Sequence, residues 1–188
     1  MVADRDRLIE ILRTTSLKSA PEPSFRLASG KLSRYYVDCK QALSDPEARS
    51  LIGRLAAGLF QPAAFDAVGG LELGAYPIAI AISDAVFREA AVKLRVFVVR
   101  KDPKSHGVQD LIAGNVMPGD RTLIVDDVVT TAGSTIKAIR RAREARLEVR
   151  QALALIDREE EHGAENLAAE GVQFAPLFKL RELLDPQG

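Results

Sequence analysis

The chain has 188 residues, 47% of them hydrophobic and 28% charged, which is ordinary usage for one compact domain and excludes disordered and fibrous classes. Lys plus Arg and Asp plus Glu number 26 each, so no net charge is available to hold a nucleic acid non-specifically, and any polyanion site has to be local. Cys39 is the only cysteine, which excludes an internal disulfide framework and a cysteine zinc site and fits a reducing cytoplasm.

At the N-terminus, MVADRDRLIE has neither the basic start nor the apolar run of a signal peptide, and no apolar stretch reaches the roughly 18 residues that cross a bilayer. A cytoplasmic location, no membrane partner and a single domain over residues 1–188 are expected. Leu8, Ile11 and Leu12 fall at helical spacing after Asp4 and predict an amphipathic helix over residues 4–15 with Asp4 as N-cap. Phe25 to Leu27 and Tyr35 to Asp38 predict two short strands around Ser29-Gly30-Lys31, where Gly30 can take a positive φ. Ser44 and Glu47 have the spacing of a capping box for a helix to about residue 60, with Leu51, Ile52, Leu55, Leu59 and Phe60 as its apolar stripe.

From residue 65 the rhythm changes, because short β-branched runs alternate with helical patterns. Strands are predicted over residues 65–68, 92–99, 122–125 and 149–156, and helices over 75–90 and 133–146. That β-α-β-β-α-β order, with an unbroken apolar run at Leu123 to Val125, predicts an α/β fold with a central, mainly parallel sheet flanked by helices on both faces. The stretch from Lys101 to Gly119 carries Pro103, Gly107, Gly114 and Pro118 and is too long for a routine connector, which predicts a flexible binding loop.

The most informative segment is Leu123-Ile124-Val125-Asp126-Asp127-Val128-Val129-Thr130-Thr131-Ala132-Gly133-Ser134-Thr135, a buried strand running into two acids and then a hydroxyl-rich loop before a helix. Adjacent carboxylates at a strand's carboxyl end project over the sheet edge, where they can accept hydrogen bonds from a vicinal diol or order a hydrated magnesium ion. Thr130, Thr131, Ser134 and Thr135 supply hydroxyl donors, while Ala132 and Gly133 let backbone N–H groups approach a phosphate at the positive end of the following helix. The string resembles the motif with which type I phosphoribosyltransferases bind 5-phosphoribosyl 1-pyrophosphate (PRPP). That resemblance implies that Asp126 and Asp127 hold the ribose hydroxyls and, through water, Mg2+, with Asp127 also catalytic. Val128 and Val129 carry the strand to the substrate, and Thr130 to Thr135 hold the 5′-phosphate.

Arg100-Lys101-Asp102-Pro103-Lys104-Ser105-His106-Gly107 places three permanent cations and an imidazole in one loop after a buried strand, a density that suits an anion. It looks like the catalytic loop of orotate phosphoribosyltransferases, where Arg-Lys, a Lys three places on and a His-Gly pair recur in that order. The resemblance implies that Arg100, Lys101, Lys104 and His106 face pyrophosphate, with Lys104 foremost. It also implies that the loop, about residues 101–119, serves the neighbouring subunit's site in a homodimer.

Two more segments are similar to the same family. Phe25 to Asp38, with Ser29-Gly30, Ser33 and the Tyr35-Tyr36 pair, matches a segment that belongs to a hood over the base, formed from about residues 20–40 and the C-terminal region. Arg158, in Ile156-Asp157-Arg158-Glu159-Glu160, matches the arginine that takes the orotate carboxylate, for which a planar guanidinium is suited; the plain reading is an exposed arginine among acids. Gly69-Gly70-Leu71-Glu72-Leu73-Gly74 precedes a helix, but Ala75 and Tyr76 stand where a Walker A loop needs Lys and Ser/Thr. The family instead implies a small-residue loop whose Gly70 and Gly74 let backbone groups contact pyrophosphate. Many members carry a lysine where Ala28 stands and another where Gly74 stands; Lys31 could reach back to replace the first.

The expected reaction is transfer of the 5-phosphoribosyl group from PRPP to orotate, with Mg2+ as cofactor. A phosphoribosyltransferase for a purine stays open as an alternative, as does a non-catalytic, nucleotide-sensing RNA-binding regulator on the same fold. The regulator would use Lys137, Arg140, Arg141, Arg143 and Arg146, which read more simply as a solvated helix face, so no nucleic-acid partner is expected. Cys39 and His162 have no recognisable partners and no assigned role.

Overall fold

The computed structural model describes residues 2–27, 30–102 and 111–184. The first helix, α1 (Val2–Thr15), buries Leu8, Ile11 and Leu12 as their spacing predicts. It starts earlier than expected, so Asp4 lies inside its first turn and pairs with Arg54 at 3.2 Å rather than capping the helix. Four short strands follow: β1 (Leu17–Ser19), β2 (Phe25–Arg26), β3 (Leu32–Ser33) and β4 (Tyr35–Val37). Gly30 takes φ +86°. The Leu27 N–H reaches the Lys31 carbonyl at 2.9 Å, so the turn closes β2 on β3. That leaves the Tyr35 strand to pair antiparallel with β1 instead of with the Phe25 strand, a correction to the sequence reading.

After α2 (Lys40–Ser44) comes α3 (Pro46–Ala57), capped by Asp45 and not by Ser44. The Asp45 carboxylate accepts from the N–H groups of Glu47 and Ala48 at 2.7 and 3.4 Å, and Pro46 sits at N1, where no N–H is needed. Because α3 ends at Ala57, Phe60 enters the core from beyond the helix and Leu59 stays exposed.

The remaining elements are β5 (Ala67–Leu71), α4 (Ala75–Ala90), β6 (Arg95–Val99), β7 (Ile112–Gly114), β8 (Arg121–Val129), α5 (Gly133–Glu144), β9 (Glu148–Asp157), α6 (Gly163–Ala169), β10 (Gln173–Lys179) and α7 (Leu180–Leu184). Six strands form one sheet in the order β10-β9-β8-β5-β6-β7, parallel except for the β6–β7 pair. Leu123 and Val125 of β8 join the core with α1, α3 and α4, while Ile124 between them joins the second core with α5, the period-two alternation of a sheet covered on both faces. β7 corrects the reading of residues 101–119 as one long irregular loop, since Ile112–Gly114 within it form a short edge strand.

The sheet itself positions the site. Pairing of β8 with β5 ends at Ile124↔Gly69, whereas pairing with β9 continues to Val129↔Asp157. The strand tip that carries Asp126 and Asp127 is thus held from one side only. It opens at the point where successive strands depart in opposite directions from β5 and β8, the place where open α/β sheets bind ligands.

Candidate active site

β8 extends through both acids, so they are strand residues with opposite side-chain directions. Asp126 is buried, and its Oδ2 accepts hydrogen bonds from Ser134 Oγ and Thr135 Oγ1, each at 2.7 Å. Burial first, and the neighbouring charge of Asp127 second, push the Asp126 carboxyl up to about 6. The Ser134 and Thr135 hydroxyls face Asp126 with their protons. Asp127 is half-buried; its Oδ1 accepts from the Val128 N–H at 3.0 Å. Its carboxylate lies against Gly74, where a β-carbon would come within 2.5 Å of it.

The loop between β8 and α5 turns at Ala132, which adopts φ +62°. The Gly133 N–H donates to Thr131 Oγ1 at 3.3 Å, and Asn166 Nδ2 holds the Thr131 carbonyl at 3.1 Å. A β-carbon on Gly163 would stand 2.5 Å from the Thr130 carbonyl, so α6 braces the loop from outside. The first turn of α5 then presents N–H groups that have no partner within the helix, a ready anion site.

Gly70 packs under the same tip, since a β-carbon there would lie 2.0 Å from the Val125 carbonyl. The Gly69–Gly74 loop contains a cis peptide at Glu72-Leu73. Glu72 Oε1 accepts the Lys101 N–H at 2.7 Å, which fastens the start of the cationic loop to the glycine loop. From α5, Lys137 Nζ donates to the Lys101 carbonyl at 3.1 Å and Arg141 donates to the carbonyls of Arg100 and Lys101. Arg140 pairs with Glu170 at 2.5 Å and Arg143 donates to the Val149 carbonyl at 3.0 Å. Lys137, Arg140 and Arg143 stay exposed while they make these contacts, and Arg146 is exposed as well, as a solvated helix face requires. Lys104 and His106 lie outside the described residues, as does Ala28.

Arg158 is not the exposed strand-end arginine of the plain reading. Its side chain is 2% exposed, and its N–H donates to the Val129 carbonyl at 2.9 Å, directly beside the acidic tip. Nη2 donates to Ser33 Oγ at 3.2 Å and to the Tyr35 carbonyl at 3.3 Å; Nε and Nη2 both reach Glu160 at 3.2 Å. Tyr35 packs on the core, while Tyr36 stacks on Phe25 with ring centroids 5.8 Å apart. Lys31 pairs with Glu161 at 3.2 Å. Sequence reasoning missed Glu72 and Glu160; the only signal was their place beside motif residues.

The acidic tip suits magnesium, a hard cation that takes oxygen donors and keeps several waters. No cluster of three or more His, Cys, Asp or Glu able to hold a metal occurs among the described residues. A tip with a half-exposed Asp127 beside a sequestered Asp126 fits an ion that arrives with a polyphosphate and is held through water, not one caged by protein alone.

Residues 39–173 match the family model of the phosphoribosyl transferase domain. Over 184 residues the chain is 47% identical to the orotate phosphoribosyltransferase of Aquifex aeolicus (strain VF5), an alignment that covers 98% of this chain and 100% of the relative. The chain belongs to the orotate phosphoribosyltransferase family. Among solved structures, Mycobacterium tuberculosis H37Rv orotate phosphoribosyltransferase in complex with Fe(III) dicitrate superposes with a TM-score of 0.80 at 36% identity, covering 96% of this chain and 98% of the other. The M. tuberculosis enzyme in complex with PRPP superposes with a TM-score of 0.76 at 31% identity, covering 96% and 92%. The six-stranded sheet and its helices are thus the type I phosphoribosyltransferase fold, and this orotate phosphoribosyltransferase family member is an enzyme.

Proposed function

We propose that the chain transfers the 5-phosphoribosyl group from PRPP to N1 of orotate, giving orotidine 5′-monophosphate and pyrophosphate with inversion at C1, in UMP biosynthesis. The observation that carries this reading is the union of two sites. Arg158, matched to a carboxylate ligand, is joined at 2.9 Å to the strand tip that ends in the sugar-phosphate motif. A planar carboxylated base bound at Arg158 and a ribose held at Asp126 and Asp127 would lie side by side, as the transfer requires.

The bond from C1 to pyrophosphate breaks as N1 approaches, with positive charge on the ribose ring and negative charge arriving on the leaving group. No protein nucleophile is needed, and the only thiol, Cys39, is buried with its pKa pushed up. Asp127 would orient the ribose hydroxyls, with Asp126 as its buried companion holding Ser134 and Thr135. The α5 N-terminus, Thr130 and Thr131 would grip the 5′-phosphate, and the backbone of Gly70 and Gly74 the pyrophosphate. Arg100, Lys101, Lys104 and His106 would receive the departing charge. Magnesium, held through water by Asp126 and Asp127, would neutralise pyrophosphate charge when bound.

Residues 20–40 and the C-terminal region would form the hood; the contacts of Arg158 with Ser33 and Tyr35 and of Lys31 with Glu161 support this. A homodimer fits an apolar line on α4: Tyr76, Ile80 and Phe87 share one helix face and are 43%, 37% and 53% exposed, with Leu73 beside them at 70%. No described helix is long and apolar enough to cross a membrane, and the free Cys39 fits the cytoplasm. A base panel tests the reading: orotate should be consumed with PRPP, and adenine, guanine and hypoxanthine should not. Comparable turnover with a purine would overturn it.

A further inference from the structure

Three consecutive glutamates follow Arg158, and each takes a cation. Glu159 pairs with Lys179 at 2.8 Å and Arg181 at 3.3 Å, Glu161 pairs with Lys31 at 3.2 Å, and Glu160 returns to Arg158 itself. The backbone bends sharply to allow this: Glu159, Glu161 and His162 adopt φ of +54°, +54° and +58°, a region that costs side-chain-bearing residues energy and persists where surrounding contacts enforce it. The bend lays the Glu160 carboxylate along the Nε and Nη2 edge of the guanidinium. This is the two-pronged arrangement that a ligand carboxylate would adopt.

The two partners differ in access. The Arg158 side chain is 2% exposed and that of Glu160 31%, so Glu160 is the solvent-side member of the pair. Both contacts are 3.2 Å, longer than the 2.7–2.9 Å common for such charge-assisted bonds. A buried guanidinium without a partner is costly, so an empty base site needs some carboxylate at this place.

We propose that Glu160 is an internal stand-in for the substrate carboxylate and thereby a specificity-determining residue. In the free enzyme it satisfies Arg158; orotate binds by exchanging its own carboxylate for that of Glu160, which swings toward solvent. The exchange keeps Arg158 paired throughout. A base without a carboxylate that displaced Glu160 would strand the guanidinium, and a site built around a polar partner strongly rejects analogues that lack it. Selectivity against neutral bases is therefore gained at some loss of affinity for orotate. The inference rests on Arg158 being the residue that takes the base carboxylate.

The test is steady-state kinetics on Glu160→Gln and Glu160→Asp with orotate and PRPP varied separately. Gln keeps the size and loses the competing charge; Asp keeps the charge and loses the reach. Stand-in action predicts a KM for orotate lowered about five- to tenfold in Glu160→Gln and less in Glu160→Asp, with the KM for PRPP and kcat within about twofold of wild type. A raised or unchanged orotate KM in both variants overturns the proposal, because a merely structural tie would disturb both substrates or neither. Arg158→Gln is the third arm. A large rise in its orotate KM upholds the underlying reading even where the glutamate variants fail, and no rise removes that reading and the stand-in together.

Discussion

The Asp127 carboxylate occupies the space that a side chain on residue 74 would need. A β-carbon built on Gly74 falls 2.5 Å from Asp127 Cγ and 2.6 and 2.8 Å from its two oxygens. Gly74 has a helical φ of −61°, so the demand is for room and not for backbone freedom. A lysine cannot simply be added here. Gly74→Ala should push Asp127 from its position and lower kcat/KM for PRPP by about 10²-fold, the scale of a 1 Å misplacement at a reacting centre. Gly74→Lys should not exceed wild type. Wild-type kinetics for Gly74→Ala would show that the position of Asp127 is immaterial.

Lys104 is the foremost cation of the loop matched to pyrophosphate. A donor to charge that develops only in the transition state is worth about 3 kcal/mol, so Lys104→Ala should lose kcat by about 10² to 10³ while still binding a 5′-phosphate. Mixed with Asp127→Asn, it should regain partial activity in hybrid dimers if one subunit's loop serves the other's site. Unchanged turnover in Lys104→Ala would remove that lysine from the mechanism.

Much of this was legible beforehand, for definite reasons. Short apolar runs alternating with helical patterns marked β5, α4, β8 and β9, and the unbroken run from Leu123 to Val125 marked β8 as a central strand, because a strand buried on both faces leaves no polar alternation. The course from strand through loop to helix across Asp126 to Thr135 was legible because the apolar run ends at the two acids and small and hydroxyl residues follow before the helix. Local details were decided by competitors that spacing does not rank: Asp45 outbid Ser44 as a cap with Pro46 beside it, and the Tyr35 strand paired with β1 because β3 had already closed on β2. The burial of Arg158 depends on Ser33 and Tyr35 as well as on the nearby Glu160, and no single-segment pattern encodes the contacts with Ser33 and Tyr35, 125 and 123 positions away.

Asp126 gives the metal-free protein a pH signature. Its carboxyl is raised from 3.8 to about 6, so the charged form is the one that folding disfavours. The stability this group contributes is complete below its unfolded value and is lost as pH rises through about 6. The melting temperature of Asp126→Asn relative to wild type should therefore climb between pH 4 and pH 7. Asp157 is shifted in the same direction, chiefly by burial and against the hydrogen bond from the Glu159 N–H, so the variant should abolish only part of the pH dependence. A difference that is flat across that window would show that Asp126 titrates normally.

The apolar line on α4 predicts assembly. Ile80→Glu places a charge among Tyr76, Phe87 and Leu73, and should convert a dimer into a monomer in sedimentation velocity, with turnover falling alongside because the loop no longer reaches a second site. A variant that sediments as wild type would clear this face of any role in pairing.

Calorimetric titration of the wild-type chain and Asp127→Asn with PRPP, with and without magnesium, addresses the central claim most directly. The wild type should take up PRPP with magnesium present, and Asp127→Asn should bind it about 10- to 100-fold more weakly, as loss of a hydrogen bond to a charged group implies. Absence of PRPP uptake by the wild type even with magnesium, or equal uptake by the two proteins, would contradict the assignment of the β8 tip as the grip on the sugar donor.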